Sequence, residues 1–81
     1  MMETYDEIFK CLMDAILDKS SVEISYTNQR NETITRRIQP KRFELVKRRY
    51  GRMSRLCVAA FCETRKAERV FAIVRIHELS T

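Results

Sequence analysis

The chain has 81 residues, 44% of them hydrophobic and 33% charged, and its 16 lysines and arginines outweigh 11 acids for a net charge of +5. That length holds one small domain, expected to span 1–81, whose core is too modest to wall a deep catalytic cleft, while the apolar fraction is too high for a disordered chain. There is no low-complexity tract, no solenoid-length repeat and no bilayer-length apolar run, and the start, Met1-Met2-Glu3-Thr4-Tyr5-Asp6-Glu7, is acidic where a secretory signal is basic, so a cytoplasmic location is expected.

Thr4-Tyr5-Asp6-Glu7 has the capping-box spacing, in which a threonine oxygen and a glutamate carboxylate each satisfy a free amide at a helix start. Ile8, Cys11, Leu12, Ala15 and Ile16 follow at helical spacing, Phe9, Met13 and Leu17 widen the apolar stripe, and Asp6, Lys10, Asp14 and Asp18 face water. The pattern predicts a helix over about 4–18 that covers a sheet or meets a second copy of itself. From Ser21 the period turns twofold, Val22, Ile24 and Tyr26 alternating with Glu23, Ser25 and Thr27, which predicts a strand over about 21–27. Asn28-Gln29-Arg30-Asn31 is turn material. Ile34 and Ile38 mark a second strand over about 32–39, and Pro40, placed at an edge, a bulge or a strand start, sets it apart from a third over about 42–48. The only glycine, Gly51, falls in the turn Arg49-Tyr50-Gly51-Arg52. Leu56 to Cys62 is nearly all apolar, as in a central strand covered on both faces, here about 54–62. A polar loop leads to a last strand over about 69–74, and Arg75-Ile76-His77-Glu78-Leu79 closes the chain. One helix and then five short strands read as α+β: an N-terminal helix followed by a small five-stranded antiparallel SH3/Sm-like barrel.

Charge is unevenly placed. Residues 1–20 carry five acids against two lysines, whereas 36–55 carry nine basic residues against the single acid Glu44. Such a field draws polyanions, whether nucleic acid, an acidic protein face or an anionic membrane surface, although no membrane partner is expected of this chain. The tip Lys47-Arg48-Arg49-Tyr50-Gly51-Arg52 either clamps a nucleic-acid backbone, with Tyr50 stacking on a base, or keeps a hairpin soluble. Arg36 alternates with Ile34 and Ile38, so it points to the core side; either it faces a ligand at the mouth of the barrel or it pairs with Glu44 or Glu23. Arg37 points outward. Tyr26 is expected in the core with its hydroxyl at a pocket edge. Cys11, Cys57 and Cys62 form no CxxC pair and His77 stands alone, so no metal site, cofactor or disulfide is expected, and the cysteines read as reduced small hydrophobes. No nucleophile has an evident partner base, so the domain is expected to be non-enzymatic.

Four stretches, Val22-Glu23-Ile24-Ser25-Tyr26-Thr27-Asn28, Thr35-Arg36-Arg37-Ile38-Gln39-Pro40, Ala60-Phe61-Cys62-Glu63-Thr64-Arg65 and Arg69-Val70-Phe71-Ala72-Ile73-Val74-Arg75-Ile76, taken in order, resemble the WYL domain, a bacterial and phage ligand-sensing module with an Sm-like fold. The Trp-Tyr-Leu triad that names the family falls on Leu56-Cys57-Val58, and the arginine and aspartate usual in its last strand fall on Ala72 and Val74. Most such sensors carry a helix-turn-helix ahead of them, and 81 residues are expected to leave no space for one. The resemblance implies a pocket lined by Tyr26, by Arg36 or Arg37, and by Arg65, Arg69 and Arg75, holding single-stranded RNA or DNA or a nucleotide-like effector. Guanidinium groups grip phosphate in pairs of hydrogen bonds and a tyrosine ring offers a stacking face, which suits that ligand. For Arg69 and Arg75 an ion pair with Glu63, Glu68 or Glu78 is the ordinary alternative. The function expected is regulatory ligand binding through this pocket and the basic hairpin of Arg48, Arg49, Tyr50 and Arg52. The alternative is a phage or defence-system accessory protein that docks on an acidic protein partner. Exposed strand edges and a wide apolar helix face lead to the expectation of a homodimer or higher homo-oligomer.

Overall fold

In the computed structural model, residues 4–47 and 54–80 are described. Thr4 caps the helix α1 (Tyr5–Asp18): its hydroxyl accepts from the Glu7 amide at 3.3 Å and donates to the Glu7 carboxylate at 3.0 Å. The reciprocal half of the expected capping box is thus made to the threonine side chain and not to a backbone amide. Asp6 and Glu7 lie in the first turn, where the helix dipole favours negative charge. The helix ends where Lys19 turns left-handed (φ 56°), and its carbonyl accepts from Gln39 Nε2 at 3.3 Å.

Five strands follow: β1 (Val22–Thr27), β2 (Thr33–Lys47), β3 (Ser54–Cys62), β4 (Ala67–Ala72) and, after a 3-10 turn at Ile73–Arg75, β5 (Ile76–Ser80). They form one antiparallel sheet in the order β4-β3-β2-β1-β5. Two of the expected strands, 32–39 and 42–48, are a single strand. Pro40 sits at a bulge between Pro40 and Arg42 that bends β2 without ending it, since the partner strand keeps pairing on either side of the extra residue. The fifth strand is instead Ile76–Ser80, whose register against β1 shifts between Ser25 and Tyr26. That bulge spaces its buried residues, Ile76 and Leu79, three apart and hides the twofold period.

Strand β2 is a corner. Its first part pairs with β1 (Thr33 to Ile38) and its second with β3 (Ile38 to Lys47), so Ile38 is the one rung shared by both ladders among the described pairings. A sheet joined so narrowly curls strongly. Ala72 and Ile76, ends of the two outermost strands, are joined by only the 3-10 turn and lie at most about 15 Å apart along the chain. Closure of the expected barrel is not seen, however: among the described residues β4 and β5 are free edges and the sheet is open.

The core lies between α1 and the inner face of this curl. Ile8, Leu12 and Ala15 of the helix meet Val22, Ile24, Ile38, Val58, Ala60, Cys62, Phe71, Ile73, Ile76 and Leu79. Phe9 stacks on Phe43 with ring centroids 4.5 Å apart. The helix therefore covers the sheet, one of the two arrangements its apolar stripe allowed. In β3, Cys57 and Ala59 on the other face are also buried but Phe61 beside them is exposed, so the second face of the strand is covered only in part.

Candidate anion-binding groove

The curl brings the end of β1 to the free edge of β4, although two strands, β2 and β3, lie between them in the ladder order. Tyr26 meets Phe71 edge-on across this seam, ring centroids 5.1 Å apart and planes at 72°. Along the seam runs an open groove of about 920 Å³. One wall is the β1–β2 turn, Thr27 to Arg30; the other is β4 from Arg69 to Ala72, with Arg75 at the end and Val46, Lys47, Arg55 and Cys57 of the β2–β3 ribbon beyond.

Arg30, Lys47, Arg55, Arg69 and Arg75 give the groove five cations, and no aspartate or glutamate is among its described lining residues. The local structure presents several of them. Asn28 Oδ1 accepts from the amides of Arg30 and Glu32, both at 2.9 Å, and Asn31 takes the left-handed conformation (φ 64°) in which asparagine is at ease. This tight turn fixes the backbone from which Arg30 projects. Arg75 is half-buried, and its Nη1 donates to the carbonyls of Thr27 (3.4 Å) and Asn28 (3.2 Å), which ties the 3-10 turn to the end of β1 and leaves further guanidinium N–H groups for the groove. His77 Nε2 and Thr27 Oγ1 share a hydrogen bond at the same corner.

The carboxylates nearby are committed elsewhere. Glu63 pairs with Arg37 at 3.5 Å; Glu44, two residues along β2, and Glu68, on β4 beyond β3, both hold Arg42, at 2.8 and 2.6 Å. Arg42 binds its proton more tightly as a result, first through the hydrogen bond to Glu68 and then through that to Glu44. Among the described residues none of the groove's five cations is in an ion pair, so Arg69 and Arg75 are not locked onto Glu63, Glu68 or Glu78. Burial pushes the Cys57 thiol above its ordinary pKa; Arg55 pulls it down and Glu44 adds to the rise, both by less.

Of the residues singled out from the sequence, the groove gathers Tyr26, Arg69 and Arg75. Arg36, Arg37 and Arg65 are not on its walls. Arg36 is half-buried and neither faces the groove nor meets Glu44 or Glu23; its Nη1 donates to the adjacent Thr35 carbonyl at 3.0 Å. Arg37 is exposed and paired, and Arg65 lies exposed in the β3–β4 turn. Arg48, Arg49, Tyr50 and Arg52 fall outside the described residues. Lys47, named from the sequence only as the start of the basic tip, lines the groove; Arg30 and Arg55 were not expected as site residues, the one signal for Arg55 being the basic excess of 36–55, and for Arg30 there was none.

No group of three or more histidine, cysteine or acidic side chains able to hold a metal occurs among the described residues, and none of their helices is long and apolar enough to cross a membrane.

Fold and groove together define a class: a small α+β module with a cationic seam in an open sheet. The chain belongs to the WYL domain family, whose profile matches residues 7–81. Among solved structures it is similar to the proteasome accessory factor B/C (PafBC) of Arthrobacter aurescens, with a TM-score of 0.75 and 23% identity over 94% of this chain; the chain spans 11% of that protein's length. Among curated proteins none matches.

Proposed function

We propose that this domain is a regulatory ligand sensor, a small Sm-like barrel left open at one seam, which holds single-stranded nucleic acid or a nucleotide-like anion in that seam. One observation carries the reading: five cations line one groove and none of them is neutralised by a carboxylate among the described residues. Concentrating like charge costs free energy in the empty protein, and an anion removes that cost while gaining charge-assisted hydrogen bonds. Tyr26 adds an aromatic ring against which a base can stack. Membership of a ligand-sensing family supports the regulatory role. Chemistry is not part of the reading: the thiol on the groove wall, Cys57, is kept protonated by burial, away from the thiolate that nucleophilic attack needs.

Fluorescence anisotropy with a labelled single-stranded oligonucleotide tests this. The double substitution Arg55→Ala and Arg69→Ala should weaken binding roughly tenfold or more, because two phosphate partners are lost. Arg37→Ala, outside the groove, should leave it unchanged. An oligonucleotide that does not bind, or that binds all three proteins alike, overturns the proposal.

A further inference from the structure

Four consecutive residues of one edge strand, Arg69 to Ala72, line the groove, and β4 is hydrogen-bonded on its β3 side only. In an edge strand every second residue turns both its N–H and its C=O away from the sheet. The groove wall is therefore made of paired main-chain donors and acceptors as well as side chains, repeating every second residue at about 6.8 Å. Among the described residues these groups have no strand partner. They stand beside five cations, so the occupant that satisfies both must carry negative charge along its length and hydrogen-bonding edges at intervals.

Resting on the proposed function of the same groove, we infer that the free edge of β4 reads the exposed base edges of a single strand, whose phosphates the arginines hold. Each unpaired nucleobase offers a donor and an acceptor side by side, which complements the N–H and C=O of one outward-facing residue. Tyr26, half-buried against Phe71, closes the floor with an aromatic ring. A duplex has those base edges occupied and is excluded. A mononucleotide meets a single outward residue and leaves the rest of the wall unused. Because every base has such an edge and the peptide backbone is uniform, the reading discriminates strandedness and not sequence.

The test uses the whole chain labelled with ¹⁵N and four probes: a ten-nucleotide single strand, the same strand as a duplex, an abasic strand of equal length, and a poly-glutamate peptide. The single strand is expected to shift the amide resonances of alternate residues between Arg69 and Ala72 together with the side-chain Nε resonances of Arg69 and Arg75. It should also bind roughly tenfold or more tighter than the abasic strand or the duplex, given what base contacts contribute on single strands. Arginine shifts with silent β4 amides, and equal affinity for the abasic strand, would overturn the inference while leaving the anion-binding groove intact. Silence of both sets of resonances would remove the groove reading and this one with it. Alternate-amide shifts with poly-glutamate, and none with the single strand, would assign the edge to an acidic peptide by strand addition and overturn the nucleic-acid inference.

Discussion

If the groove's cations neutralise phosphates, affinity must fall with salt in proportion to their number. Each contact on a single strand contributes a slope of about −0.7 in log affinity against log salt. The five cations of the groove then give about −3.5, and raising salt from about 50 to about 200 mM should weaken binding about a hundredfold. Replacing Arg55 and Arg69 by alanine leaves three cations, a slope of about −2.1 and about a twentyfold loss over the same range. Arg37→Ala and Arg65→Ala should leave the slope of the parent chain, since neither side chain lines the groove. Anisotropy titrations at five or six salt concentrations measure all four lines. A flat response, or equal slopes for the parent and the double variant, would refute the assignment of these residues to the ligand.

Three further outcomes are expected. Leu12→Ala empties a fully buried site between helix and sheet and should cost about 2–5 kcal/mol, a large part of the stability of a small domain, read as a lowered urea midpoint. Asn28→Ala removes the acceptor that fixes the β1–β2 turn; it should cost about 1 kcal/mol in a urea melt and weaken oligonucleotide binding in anisotropy by loosening the backbone under Arg30. The raised pKa of Cys57 means that the fold favours the neutral thiol: its contribution is complete below the ordinary value of 9.0 and is lost as pH rises through the folded value. Stability measured at rising alkaline pH should therefore decline less in Cys57→Ala than in the parent chain.

Local patterns made much of the fold legible. The helix announced itself by its cap and its stripe, β1 by strict alternation, and β3 by an apolar run buried from Cys57 to Ala60. What local pattern could not show was irregular pairing. Pro40 looked like a boundary because proline cannot donate to a ladder, yet a bulge accommodates it and β2 runs on. The same kind of irregularity between Ser25 and Tyr26 disguised β5. Tyr26, Arg69 and Arg75 were found through family resemblance, whereas Arg30, Lys47 and Arg55 reach the groove only because the curled sheet brings distant elements together. The site is a product of curvature, and curvature leaves no periodic trace in a sequence.

That curvature has a mechanical side. The β1–β5 and β3–β4 halves of the sheet are hinged on one continuous strand and overlap at Ile38, with one more hydrogen bond, Glu63 N–H to the Arg37 carbonyl at 3.0 Å, beside it. The two halves are nevertheless not free to swing: one core takes Val22, Ile24, Ile76 and Leu79 from the first and Val58, Ala60, Cys62 and Phe71 from the second, all under α1, so the aperture between Tyr26 and β4 is set by the same residues that hold the fold together.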